Sequence, residues 1–166
     1  MIEFFWEIGV SREYLFSFWS MKTPFTLWAF GIIRDEQNRV LLCLRNDYDF
    51  WNLPGGWLET WESPREAVIR EVKEETGFDV EVIKLTWMYS KSYHDDLVFV
   101  FDCKIIWWEI TLNTEARDIK YFWADELPVN THPKHIERIN DALKNLNTPL
   151  MKNQIKDDFI QNIKKL

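Results

Sequence analysis

One stretch constrains this chain more than any other. Residues 55 to 78 read Gly-Gly-Trp-Leu-Glu-Thr-Trp-Glu-Ser-Pro-Arg-Glu-Ala-Val-Ile-Arg-Glu-Val-Lys-Glu-Glu-Thr-Gly-Phe. A glycine pair, Gly55 and Gly56, opens it and Gly77 closes it. The residues between them predict a helix with explicit punctuation. Ser63 is a good N-cap, Pro64 occupies the first helical position, and Glu66 follows three residues after the cap to complete a capping box. Gly77 supplies the left-handed residue that ends the helix.

At 100° per residue, Ala67, Glu71, Glu74 and Glu75 share one face, with Val68, Ile69, Val72 and Thr76 on the adjoining face. Carboxylates at such spacings repel one another by a few tenths of a kcal/mol (roughly) per pair in water. A helix built for stability alone would interleave lysines there. A solvated acidic face is one reading. The other is a site for a hard divalent cation such as Mg²⁺, which takes carboxylate oxygens and offsets the repulsion.

The spacing separates the two. Gly56, five residues, Glu62, seven residues, then Arg70-Glu71-Val72, Lys73, Glu74-Glu75, Thr76 and Gly77-Phe78 match every position of the signature of the Nudix hydrolases, which cleave nucleoside diphosphates linked to another group. With each residue type at ordinary abundance, such a match arises by chance at a given position about once in 10⁸. The chain resembles this family from residue 25 to about residue 146. The resemblance implies an α/β/α sandwich with a mixed sheet between helices. It also implies hydrolysis of a phosphoanhydride bond with Mg²⁺, or Mn²⁺, as cofactor.

Composition narrows the partners. The 166 residues suit one full core and not two. A formal net charge of −7 argues against a binder of nucleic-acid polymers, which needs a basic surface. It leaves a small nucleotide substrate open, because a bound metal would reverse the sign locally. Ten tryptophans lead us to expect an interior dominated by aromatic packing. Cys43 and Cys103 lie in apolar, strand-like runs without metal or redox spacing, so buried free thiols and a reducing cytoplasm are expected. No apolar run approaches about 18 residues, the length of a membrane-spanning helix.

Along the chain, residues 1–20 carry seven aromatics and read as an N-terminal extension, by one account a mis-assigned start. The catalytic domain is expected over residues 21–148. Residues 25–34 and 39–45 read as strands joined by a hairpin at Asp35-Glu36-Gln37-Asn38. A short strand enters the glycine loop at Trp51. Residues 80–91 and 97–108 form a second strand pair, residues 113–120 a polar loop, and Tyr121-Phe122-Trp123 a short strand. Ile136, Ile139, Leu143 and Leu146 recur at helical spacing after Pro133. Met151, Ile155, Phe159 and Ile163 do likewise after Pro149, predicting a helical tail over residues 149–166.

By the family pattern, Glu74 and Glu75 are the matching metal ligands, Glu71 is a ligand or the general base, and the Gly55 carbonyl is a further ligand. Gly56 and Gly77 shape the backbone around them. Glu62 and Arg70 correspond to a structural salt bridge, with Arg70 off the carboxylate face. Glu115 is the candidate for a remote catalytic carboxylate, with Glu109, Asp118 and Asp125 as weaker competitors. Arg45, at the end of the second strand, suits substrate phosphate. Trp51, Trp57, Trp61, Tyr89 and Tyr93 are near enough to the site in sequence for a base to stack on one of them. Of these, Trp57 and Tyr93 are the leading candidates.

These features lead us to expect a hydrolase of nucleoside diphosphate derivatives of the nucleotide-sugar, CDP-alcohol or dinucleoside polyphosphate type. Alternatives are an (oxidised) nucleoside triphosphate pyrophosphohydrolase and a catalytically idle nucleotide sensor. An isomerase acting on isopentenyl diphosphate would need a cysteine in the pocket.

Overall fold

The computed structural model describes residues 25–91, 93–108 and 116–155. Eight strands and two helices follow in the order β1 (Thr26–Ile33), β2 (Val40–Arg45), β3 (Trp51–Asn52), β4 (Gly55–Trp57), α1 (Pro64–Thr76), β5 (Phe78–Lys91), β6 (Asp96–Trp108), β7 (Ala116–Phe122), α2 (Pro133–Ala142) and β8 (Leu150–Asn153). A five-stranded mixed sheet runs β4-β1-β6-β5-β8, and a three-stranded antiparallel sheet runs β3-β2-β7. In the larger sheet β1 is parallel to β6 and antiparallel to β4, while β5 and β6 form a long antiparallel ribbon. This is the expected mixed α/β architecture.

Alternation along β1 explains why a helix packs on each face. Ala29 and Ile33 join Ala67, Val68 and Val72 of α1 in one buried cluster. Phe30 and Ile32 join Ile139 and Ala142 of α2 in the other. A strand buried on both faces must be apolar throughout, and Trp28 to Ile33 is. Gly31 lies on the α1 side, where a Cβ would meet the methyl groups of Val68 and Val72 at 3.4 Å, so the helix can sit close to the strand. On the other side, α2 is tied down through Asp141. Its carbonyl accepts from the indole N–H of Trp87 at 3.0 Å and its carboxylate from the Tyr89 hydroxyl at 3.0 Å.

Four expectations are corrected. The Asp35–Asn38 turn closes through Asp35 N–H to Arg39 O at 3.1 Å, but β1 and β2 diverge into different sheets after one bridge at Arg34 and Val40. Residues 116–120, read as polar loop, belong to β7, where pairing with β2 overrides polar composition. Residues 150–153, assigned to a helical tail, form β8 parallel to β5, because the open edge of β5 offers unpaired backbone groups. The rest of that tail, from residue 156, and residues 1–20 lie outside the described residues. Lastly, the interior is mainly aliphatic. Trp51 and Trp87 are buried, whereas Trp57, Trp61, Trp107 and Trp123 are exposed, because Val, Ile and Leu fill most of the inward strand positions.

Candidate active site

The helix that carries the carboxylates is capped as its sequence predicts. Ser63 accepts from the Glu66 N–H, Glu66 returns the bond to the Ser63 N–H, and Gly77 closes the helix at φ 76°. Ala67, Val68, Val72 and Thr76 are buried, so the glutamate face is turned toward the β4 loop.

Two glycines make that approach possible, each for its own reason. Gly55 has φ 139°, and a Cβ there would lie 2.2 Å from the Ala29 carbonyl oxygen. Its N–H donates to Glu75 Oε2 at 2.9 Å, fixing one carboxylate against the loop. At Gly56 a Cβ would fall 2.5 Å from the carboxyl carbon of Glu71. The space a side chain would occupy holds that carboxylate instead.

Arg70 is the electrostatic hub. Its Nε and Nη2 grip Glu62 Oε1 and Oε2 at 2.8 and 2.9 Å, and Nη2 also reaches the Trp57 carbonyl at 3.1 Å. Its Nη1 donates to Glu71 Oε1 at 2.9 Å and Glu74 Oε2 at 2.8 Å. The arginine expected off the carboxylate face therefore reaches round to it, since Glu74 is its i+4 neighbour. The hydrogen bond to Arg70 holds the Glu62 carboxyl below its ordinary 4.5. The Glu62 contacts raise the Arg70 guanidinium, which stays charged.

Arg70, Glu71, Glu74 and Glu75 line a cleft of about 570 Å³ with Trp28, Arg45, Asn46, Asp47, Trp57 and Glu59. Among the described residues, no three His, Cys, Asp or Glu side chains converge closely enough to hold a metal as they stand. Glu71 and Glu74 are drawn to Arg70, and Glu75 to the Gly55 N–H. The donor set itself fits a hard cation: three carboxylates on one cleft, one of them cradled where Gly56 has no Cβ. Glu71 and Glu74 would have to turn from Arg70 toward the ion.

The other candidates divide. Arg45 lines the cleft but is paired with Asp47 through two bonds of 2.7 and 2.6 Å. Trp57, 62% exposed, lines the cleft and meets Trp28 edge-on at 6.2 Å between ring centres. Trp61, 99% exposed, stands outside it. Trp51 packs on Phe122 in the core, and Tyr89 is fully buried on Asp141, so neither is open to a base. Tyr93 stacks edge-on with His94 and lies under the Lys134 ammonium. Glu109 and Glu115 fall outside the described residues. Asp118 pairs with Lys120, and neither it nor Asp125 lines the cleft. Cys43 and Cys103 are buried, and burial raises both thiols, that of Cys103 to about 12.

Sequence reasoning missed a second group. A cavity of about 160 Å³ adjoins the cleft, sharing Trp28, Arg45, Gly55 and Glu75 with it, and is otherwise lined by residues such as Asn52, Lys91, His135 and Arg138. The partial signal for it in the sequence is His135 and Arg138 at i, i+3 on α2, beside the apolar repeat that defines the helix.

A family model for the NUDIX domain matches residues 24–143. A MutT-like protein of Streptomyces ambofaciens is 35% identical over 113 residues, spanning 68% of this chain and 73% of its own length. An 8-oxo-dGTP diphosphatase of Proteus vulgaris is 43% identical over 71 residues, covering 40% of this chain and 63% of that protein. The crystal structure of an ADP-ribose pyrophosphatase from Streptococcus suis superposes with a TM-score of 0.65 at 25% identity, covering 80% of this chain and all (100%) of that one.

Proposed function

The chain belongs to the Nudix family of hydrolases and is a pyrophosphohydrolase, and from that premise we propose that it hydrolyses a diphosphate linkage in a nucleoside diphosphate derivative with Mg²⁺, or Mn²⁺, in the cleft. The observation that carries this reading is the grouping of Glu71, Glu74 and Glu75 on one helix face against the Gly55–Gly56 loop, at the mouth of an open cleft. Glu74 and Glu75 would hold the cation, with Glu71 as ligand or base and the Gly55 carbonyl as a further ligand. The cation would neutralise phosphoryl oxygens and lower the pKa of a bound water.

The chain's own residues supply the rest. Arg70 fixes Glu62, Glu71 and Glu74 around one guanidinium, so the helix and the loop before it keep their spacing. With Glu71 and Glu74 released from Arg70, the bidentate Glu62 pair would still anchor the guanidinium. Arg45 presents a guanidinium to substrate phosphate by exchanging Asp47 for it. Trp57 offers an exposed ring for a base or sugar. Glu115 remains our candidate for a remote carboxylate, and residues 21–148 our candidate for the catalytic domain.

The three clustered glutamates speak against an idle sensor, since pure binding does not require like charges gathered on one face. An isomerase is disfavoured because neither buried thiol lines the cleft. Likeness to an 8-oxo-dGTP diphosphatase favours a second substrate reading, a nucleoside triphosphate cleaved to its monophosphate and pyrophosphate. A panel of nucleotide sugars, CDP-alcohols, dinucleoside polyphosphates and (oxidised) nucleoside triphosphates, assayed with Mg²⁺, separates the two readings. Absence of turnover on every member would overturn both.

A further inference from the structure

The cavity behind the cleft holds a buried cation in direct contact with no carboxylate of the described residues, Glu137 being reached only through Gln154. Arg138 is 2% exposed. Its Nη2 donates to Gln154 Oε1 at 3.0 Å, its Nη1 faces His135 Nε2 at 3.4 Å, and its guanidinium lies over the Phe30 ring at 4.7 Å. Each of these partners is neutral in its ordinary form, and burial keeps His135 uncharged. Among the described residues no carboxylate stands within 4.0 Å of Arg138 in an ion pair. A buried charge left this way costs several kcal/mol, roughly, unless something compensates it.

The unsatisfied atoms point the same way. Four buried side-chain atoms in the described residues lack a hydrogen-bond partner, and three of them, Trp28 Nε1, Asn52 Oδ1 and Arg138 Nε, belong to residues lining this cavity. Two are N–H donors that need an acceptor. Asn52 can turn either end of its amide toward a ligand.

Charge completes the pattern. The inner cavity sets four cationic side chains, Arg45, Lys91, Lys134 and Arg138, against one carboxylate, Glu75. Lys91 spends part of its charge on Asp96 at 3.0 Å. The outer cleft reverses the balance, with five carboxylates against two arginines. One continuous groove is therefore acidic where a metal would sit and basic beyond it.

We propose that this inner cavity is an anion subsite, in which Arg138 and the Trp28 indole N–H receive a second anionic group of the substrate, a phosphate or carboxylate beyond the scissile diphosphate. The proposal rests on the hydrolase reading above and narrows it to substrates charged at their far end. A purely structural role for Arg138 explains its stacking on Phe30 and Tyr89 and its bond to Gln154, which docks beside β5 through its N–H to Ser90 O at 2.9 Å. It leaves Nε bare and the guanidinium without a carboxylate in contact among the described residues. A nucleobase carbonyl would satisfy the donors but not the charge.

The test is calorimetric titration of the full chain, in EDTA, with inorganic phosphate, with acetate and with guanosine. Phosphate or acetate should bind the wild type, and the tighter of the two identifies the group received. Arg138→Met should weaken that binding by about tenfold to a hundredfold, the scale of a charge-assisted hydrogen-bonded contact. Should Arg138→Met fail to fold, Trp28→Phe keeps the ring and removes one donor, and should weaken binding about threefold or more. Glu74→Gln should bind the anion as the wild type does while losing turnover, so loss of the subsite and loss of the hydrolase reading are separable. Binding of neither anion, binding of guanosine in their place, or unchanged anion binding in the folded Arg138 and Trp28 variants would overturn the proposal.

Discussion

Gly56 makes room for the Glu71 carboxylate: a Cβ at residue 56 would lie 2.5 Å from its carboxyl carbon. Gly56→Ala should therefore push that carboxylate aside by about 1 Å, a misplacement that can cost about 10²-fold in rate. Glu71 sits at the end of a flexible side chain, so melting temperature should change little. Steady-state kinetics with a parallel melt checks this, and an unchanged kcat would remove Glu71 from the machinery.

Gly55→Ala should fail differently. Its added Cβ meets backbone, the Ala29 carbonyl at 2.2 Å and Phe30 Cα at 2.7 Å, from a φ of 139°. Neither can move without breaking the β1–β4 pairing. Denaturant titration should show a loss of about 2 kcal/mol or more, the scale of a strained backbone position. A variant as stable as the wild type would mean that the loop has another conformation available.

Acid should weaken the fold in two stages. Burial, reinforced by Arg138, holds the His135 imidazole well below its ordinary 6.5. The unfolded chain then takes up that proton first, and stability falls as pH drops below about 6.5. Glu62 is depressed from 4.5 by Arg70, so its contribution is complete above that value and is lost as pH falls through the lower folded value. Melting temperatures from pH 8 to 3 should lose the upper stage in His135→Gln and show a smaller lower stage in Arg70→Gln, to which other paired carboxylates such as Asp141 still contribute. Profiles parallel to wild type would contradict both assignments.

Trp57 is largely exposed and meets Trp28 edge-on. Trp57→Ala should leave stability within about 0.5 kcal/mol. If the ring stacks on substrate, KM should rise by about fivefold or more, the lower end of a base–aromatic contact. An unchanged KM on every accepted substrate would assign the ring to another role.

Much of this was legible in the residues because the signals were local. Ser63, Glu66 and Gly77 announce the ends of α1 through backbone needs met within a few residues, and the carboxylate spacing is set by the helix repeat. What escaped depended on partners distant in sequence or on the reach of a single side chain. Residues 150–153 became strand because β5 left an edge to pair with, a fact invisible in their own pattern. Arg70 could not be placed among the carboxylates without the length and direction of its side chain. Arg138, which looks like an ordinary surface arginine on an amphipathic helix, is buried because β1 and β5 bring Phe30 and Tyr89 against it.

If the carboxylates of α1 hold a divalent cation for hydrolysis, turnover must depend on that ion and on those side chains. Turnover as a function of Mg²⁺ concentration, for wild type and Glu74→Gln on the best substrate of the panel, tests this most directly. EDTA should abolish wild-type turnover and Mg²⁺ should restore it. Glu74→Gln should lower kcat/KM by about 10²-fold or more, as expected for losing a group that stabilises transition-state charge. Wild-type rates in Glu74→Gln, at the same Mg²⁺ concentration, would contradict that role.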